Sequence, residues 1–153
     1  MIKEIEIMSN YESMISELYQ KFADTFPEHH DFWQKISEEE IEHSTWIITL
    51  GEDLDTGVLK LHKSVFTEKL INETIGKVEK LLENYSDDIT LKEACDIALS
   101  IEQHMIEKEY LSLFSSDDES FNELTDNLAA ATREHVKNLI VFKDKNTEQE
   151  QTN

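Results

Sequence analysis

A single cysteine, a single proline and three glycines are all that this chain of 153 residues offers to staple or bend its backbone. One cysteine, Cys95, excludes an intrachain disulfide framework and a Cys-x-x-Cys metal knuckle. So few glycines and prolines leave too few tight turns for a sandwich or barrel and favour long helices with few connections. Basic residues are scarce too: 14 Lys and Arg stand against 34 Asp and Glu, for a net charge of −20. A surface this acidic repels phosphate groups, so neither nucleic acid nor an anionic membrane is an expected partner. Apolar runs such as "WIITL" and "LIVF" are far shorter than a membrane span, and the opening "MIKEIEIMSN" lacks the apolar core of a secretory signal. A cytoplasmic location is therefore expected.

What the sequence does contain is helical periodicity. Apolar residues recur at helical spacing almost throughout, and two-residue alternation is rare. The pattern predicts a first helix over about 9–26, with Pro27 opening the next turn, and a second over about 28–52 that stops near Gly51. Residues 53–88 read as a crossover with an amphipathic helical piece, in which Ile71, Ile75, Val78 and Leu82 share one face. The third long helix opens with Thr90 and Glu93 in capping-box positions. "SSDDES" is a turn, and the fourth helix covers about 120–143. The predicted fold class is all-α, a four-helix bundle of two antiparallel hairpins joined by a long crossover. It occupies residues 1–143, and 144–153, "DKNTEQEQTN", has no apolar anchor and reads as a disordered tail.

Each helix has an apolar stripe, and polar residues interrupt every one. The first runs Met8, Glu12, Ile15, Tyr19, Phe22, Phe26, and the second Trp33, Ile36, Glu40, His43, Ile47, Leu50. The third runs Leu91, Cys95, Ala98, Glu102, Met105, Glu109, and the fourth Leu124, Leu128, Thr132, His135, Leu139, Phe142. One inward Glu is ordinarily a marginal residue reaching water, and one inward His an ordinary core residue. Interruptions at matching depth on four helices are a different pattern. A carboxylate and an imidazole three residues apart share a helix face, and carboxylates clustered in a core repel one another unless a cation joins them. Oxygen and nitrogen ligands together suit iron or manganese, with zinc as a further candidate.

Over about residues 8–143 the chain resembles the rubrerythrin branch of the ferritin-like, di-iron carboxylate superfamily. The resemblance rests on "ESMISELYQKFA" and "ISEEEIEH" in the first half, and on "ALSIEQHMIEKEYLSLF" and "LAAATREHVKNL" in the second. It implies that Glu12 and His43 bind a first metal, that Glu40 bridges, and that Glu102 and His135 bind a second. It also implies that Tyr19 and Tyr110 hydrogen-bond the ligand carboxylates. The implied cofactor is one or two non-haem iron ions, and the implied activity is peroxide or oxygen reduction or ferrous iron oxidation.

The sequence departs from that pattern at the fourth helix, which reads Thr132, Arg133, Glu134, His135 where Glu-x-x-His belongs. Glu134 lies about 100° round the helix from His135, so it does not replace a bridging carboxylate at Thr132. With one cysteine there is no four-cysteine rubredoxin-like domain, so electrons would come from a separate donor protein. Two further readings stand beside the redox enzyme. One is a metal-binding or interaction bundle without catalysis, and the other is a degenerate site whose buried residues pair among themselves. A homodimer is the oligomeric state that such bundles suggest. His29 and His30 read as surface residues at the hairpin corner, His62 and His104 as background, and "SEEEIE" as a solvated face apart from Glu40.

Overall fold

The computed structural model describes residues 3–55, 57, 60–61, 65–103, 114–115 and 119–151. Helix α1 (Lys3–Thr25) turns through a 3-10 segment (Pro27–His29) into α2 (His30–Asp55). A crossover helix, α3 (Val65–Glu83), leads to α4 (Leu91–Gln103), and the chain returns in α5 (Glu119–Gln151). Helix α1 packs along α2, and α4 along α5. The result is two helix hairpins joined by a crossover, an all-α arrangement that matches a ferritin-like four-helix bundle. Two short strands, β1 (Lys60–Leu61) and β2 (Phe114–Ser115), pair antiparallel. That bridge satisfies backbone groups in two connections for which period-two alternation gave no signal.

The predicted stripes are the core. Met8, Ile15, Phe22, Trp33, Ile36, Ile47, Leu50, Leu91, Cys95, Ala98, Leu128 and Leu139 are all buried, and Val78 joins them from the crossover helix. At one end of the core an aromatic cluster forms, with Trp33 edge-on to Phe22 at 4.9 Å between ring centroids. Tyr85, at the end of the crossover, fixes that connection to α1: its hydroxyl lies 2.6 Å from Thr25 Oγ1.

Serine pairs set the register of the first hairpin. Ser16 and Ser37 each donate to the other's backbone carbonyl at 2.8 Å, and Ser44 donates to the Ser9 carbonyl at 3.1 Å. Small side chains bring the two backbones close, and the reciprocal bonds satisfy hydroxyls that would otherwise be buried alone. Glu12 lies between Ser9 and Ser16 on α1, just as Glu40 lies between Ser37 and Ser44 on α2, so this register brings the two carboxylates to one level.

Three boundaries differ from the periodicity. Helix α1 begins at Lys3, because Ile5 is buried and extends the stripe by a turn. Helix α2 passes through Gly51 to Asp55, since one helical glycine costs only about 1 kcal/mol. Gly57, at φ +80°, takes the left-handed turn beyond it. Helix α5 continues to Gln151, where a disordered tail was expected from residue 144. The expectation rested on missing apolar anchors, but polar groups support this stretch. Thr147 is buried and donates to the Lys143 carbonyl, and Asn146 donates to that of Phe142. The Thr90–Glu93 capping box is present, with Glu93 N–H donating to Thr90 Oγ1 at 3.1 Å and Thr90 N–H to Glu93 Oε2 at 2.8 Å.

Candidate metal centre

All four bundle helices place polar side chains in the core at one level. Glu12 comes from α1, Glu40 and His43 from α2, Glu102 from α4, and Thr132 and His135 from α5; none is more than 6 % exposed. The i, i+3 spacing of Glu40 and His43 puts both on the inner face of α2, and His43 Nδ1 lies 3.1 Å from Glu40 Oε2. His135 reaches across from α5, with Nδ1 2.9 Å from Glu40 Oε1 and 3.6 Å from Glu102 Oε2. The two imidazoles are near-parallel, 5.3 Å apart. Tyr19 closes the far side, donating its hydroxyl to Glu102 Oε1 at 2.7 Å.

Burial opposes every charge here, and the contacts decide which charges persist. Desolvation works against ionisation of Glu40, but the adjoining His135, His43 and Glu12 side chains outweigh it and hold the carboxyl well below its usual range. Glu102 goes the other way. Desolvation, reinforced by the Glu40 charge, raises it to about 7 against the pull of His135 and Tyr19. Desolvation alone would lower His135, but Glu102 and Glu40 bind its protonated form and raise it to about 11. Burial, then the Glu102 and Glu40 charges, push the Tyr19 phenol well above 10.0. The protonated His135 ring thus helps Glu40 to stay ionised in the core.

One subset of these side chains converges. Glu40, His43 and His135 each offer a ligand atom, and those atoms all lie within 4.8 Å of one another. Among the described residues this set could hold one metal ion. Glu12 and Glu102 stand outside it: the Glu12 carboxyl adjoins Glu40, and Glu102 is turned to Tyr19 and His135. The two-metal carboxylate arrangement implied by the resemblance is therefore not what the described ligand atoms form. His135 bridges the α2 and α4 carboxylates, and Thr132 supplies no carboxylate where a second bridge would stand. Its hydroxyl donates to the Leu128 carbonyl at 3.2 Å instead. Tyr110, Glu109, His104 and His62 lie outside the described residues.

The acidic run on α2 is not solvated throughout. Glu39 Oε2 lies 2.8 Å from His135 Nε2, so both ring nitrogens of His135 meet carboxylates. Partners of this kind fix which nitrogen faces a metal. The contact comes from the opposite hairpin, and Glu39 carries no periodic signal. The serine pairs did leave a trace, since Ser9 and Ser16, like Ser37 and Ser44, are one heptad apart. The corner histidines stay away from the cluster: His29 packs edge-on to Phe142 at 5.2 Å, and the His30 ring lies 3.2 Å from the Ala23 carbonyl.

No protein-family model, curated protein or solved structure matches this chain. The fold and the buried cluster are consistent with the ferritin-like superfamily at large. Among the described residues, no helix is long and apolar enough to cross a membrane.

Proposed function

We propose that this bundle binds one divalent transition-metal ion through Glu40, His43 and His135. The observation that carries the reading is the convergence of one carboxylate and two imidazoles, from both hairpins, within 4.8 Å. Two nitrogens and an oxygen suit ferrous iron, manganese or zinc better than calcium or magnesium, which take oxygen ligands. Glu40 already carries the negative charge the ion needs. His135 would exchange its proton for the metal, with Glu39 retaining the opposite ring nitrogen. A bound iron would supply one-electron redox chemistry, and a zinc held by three protein ligands would supply Lewis-acid chemistry at its open position.

Metal titration of chelator-stripped protein tests this. One equivalent of ferrous iron, manganese or zinc should bind, and Glu40→Ala should weaken that binding at least ~100-fold, as expected for loss of a charged ligand from a buried site. Wild-type protein that takes up none of the three would end the proposal.

A second reading keeps the rubrerythrin-like activity, with two irons, peroxide or oxygen as oxidant and a separate electron-donor protein. Its support is the Tyr19–Glu102 bond at 2.7 Å, together with Glu12 buried against Glu40, which leave two further carboxylates beside the three-residue set. Two equivalents of iron, followed by an oxidation signal on mixing the ferrous protein with peroxide, would favour it. One equivalent and no signal would leave metal binding alone.

A further inference from the structure

A concave feature lies where α2 and α5 run side by side. It is a cleft of about 540 Å³, within the ordinary size range of small-molecule sites. Phe32 and Phe142, which line it, are stacked at 3.8 Å between centroids and 3° between planes. Trp33 braces that pair from the core, edge-on to Phe32 at 5.2 Å and to Phe142 at 5.8 Å. This is a rigid aromatic wall, and such walls favour a flat ring as partner through offset or edge-to-face contact. Val141, 60 % exposed, adds an apolar lip.

The charge of the lining runs against that of the molecule. Asp and Glu outnumber Lys and Arg 34 to 14 in the chain, yet the cleft is lined by two lysines, Lys35 and Lys145, against one carboxylate, Glu39. That carboxylate is already engaged, 2.8 Å from His135 and 3.9 Å from Lys35. The side-chain amides of Asn138 and Asn146 add polar groups at the same wall. The two lysines of the lining have one carboxylate there, and Glu39 is shared between Lys35 and the buried His135 ring. We propose that the cleft binds a small planar aromatic carboxylate, its ring against Phe32 and Phe142 and its charge between Lys35 and Lys145. A cation would meet the two lysines, and an aliphatic anion would forgo the ring wall. The proposal does not rest on the metal reading, because the cleft reaches the cluster only through the Glu39 carboxylate.

The test uses the full chain at low salt and three isosteric probes: 2-naphthoate, neutral 2-naphthamide and cationic 2-naphthylmethylamine. Naphthoate should saturate with a Kd below about 1 mM, a free energy of about −4 kcal/mol. The amide should bind at least tenfold more weakly, and the amine should not saturate. Amide NMR shifts should centre on Lys35, Asn138 and Asn146, and K35E/K145E should weaken naphthoate at least tenfold in protein that keeps the wild-type amide dispersion. Glu40→Ala should leave naphthoate binding intact, which separates this proposal from the metal site. Equal binding of the three probes, shifts centred away from the Phe32–Phe142 cleft, or no effect of K35E/K145E would each overturn it. So would a dimer in sedimentation that K35E/K145E dissociates, since the cleft would then be an interface between copies.

Discussion

An imidazole that meets carboxylates at both ring nitrogens, as His135 does, keeps its proton far above neutral pH, so a metal must displace that proton to bind. Zinc binding at pH 8, where Glu102 is largely ionised, should therefore release close to one proton per ion, measurable by calorimetry in buffers of different ionisation enthalpy. Release near zero would mean that His135 is not a ligand. In the metal-free protein the same groups give stability a defined pH dependence. Glu102 titrates near 7 in the fold against 4.5 when free, so stability should fall as pH rises from about 4.5 to 7. His135 has a folded pKa raised from 6.5 to about 11, so its contribution is complete below about 6.5 and lost as pH rises through 11. Glu40 is depressed, so its contribution is present above 4.5 and lost in acid. Stability should peak near pH 5. Glu102→Gln should abolish the fall between 4.5 and 7, a gain on the order of 3 kcal/mol at pH 8, and a fall that survives the substitution would reassign it. Glu39→Ala should lower zinc affinity about 10- to 100-fold with little effect on the fold. The buried acids and histidines were legible in the sequence because each interrupts an apolar stripe. Glu39 was not, because its contact lies on a helix almost a hundred residues later.

At the scale of elements, the hairpin register is fixed by side chains too small to stand out in a hydropathy pattern. Ser37→Leu should separate α1 from α2, displace Glu40 from its level and destabilise the fold by about 1–3 kcal/mol through overpacking. Ser37→Ala, which keeps the close approach, should cost about 1 kcal/mol. Equal costs in chemical denaturation would mean that the serines do not set the spacing. Helix identities and faces were readable because burial follows the 3.6-residue period. The ends of α1 and α5 were not, since their last turns rest on single contacts such as Ile5 and Thr147 rather than on a repeat. Thr132→Glu tests the second metal position: a carboxylate one turn from His135 should raise iron stoichiometry towards two per chain. An unchanged ratio would show that α5 cannot present a bridge at that depth.

Across the whole molecule, an excess of twenty negative charges sits on one small fold, and some of its acids are buried in the core. Self-repulsion should make the metal-free protein markedly salt-dependent, with the thermal midpoint rising by roughly 5 °C between 20 mM and 500 mM sodium chloride. Saturating zinc should raise it further, by an increment that a chelator reverses.

The three converging residues come from different halves of the chain, Glu40 and His43 from the first hairpin and His135 from the second. An ion held by all three would act as a clasp between the two hairpins. Cut within the crossover, the halves would form a two-part system whose assembly follows free metal concentration. The protein's own architecture would then serve as a template for an intracellular metal reporter.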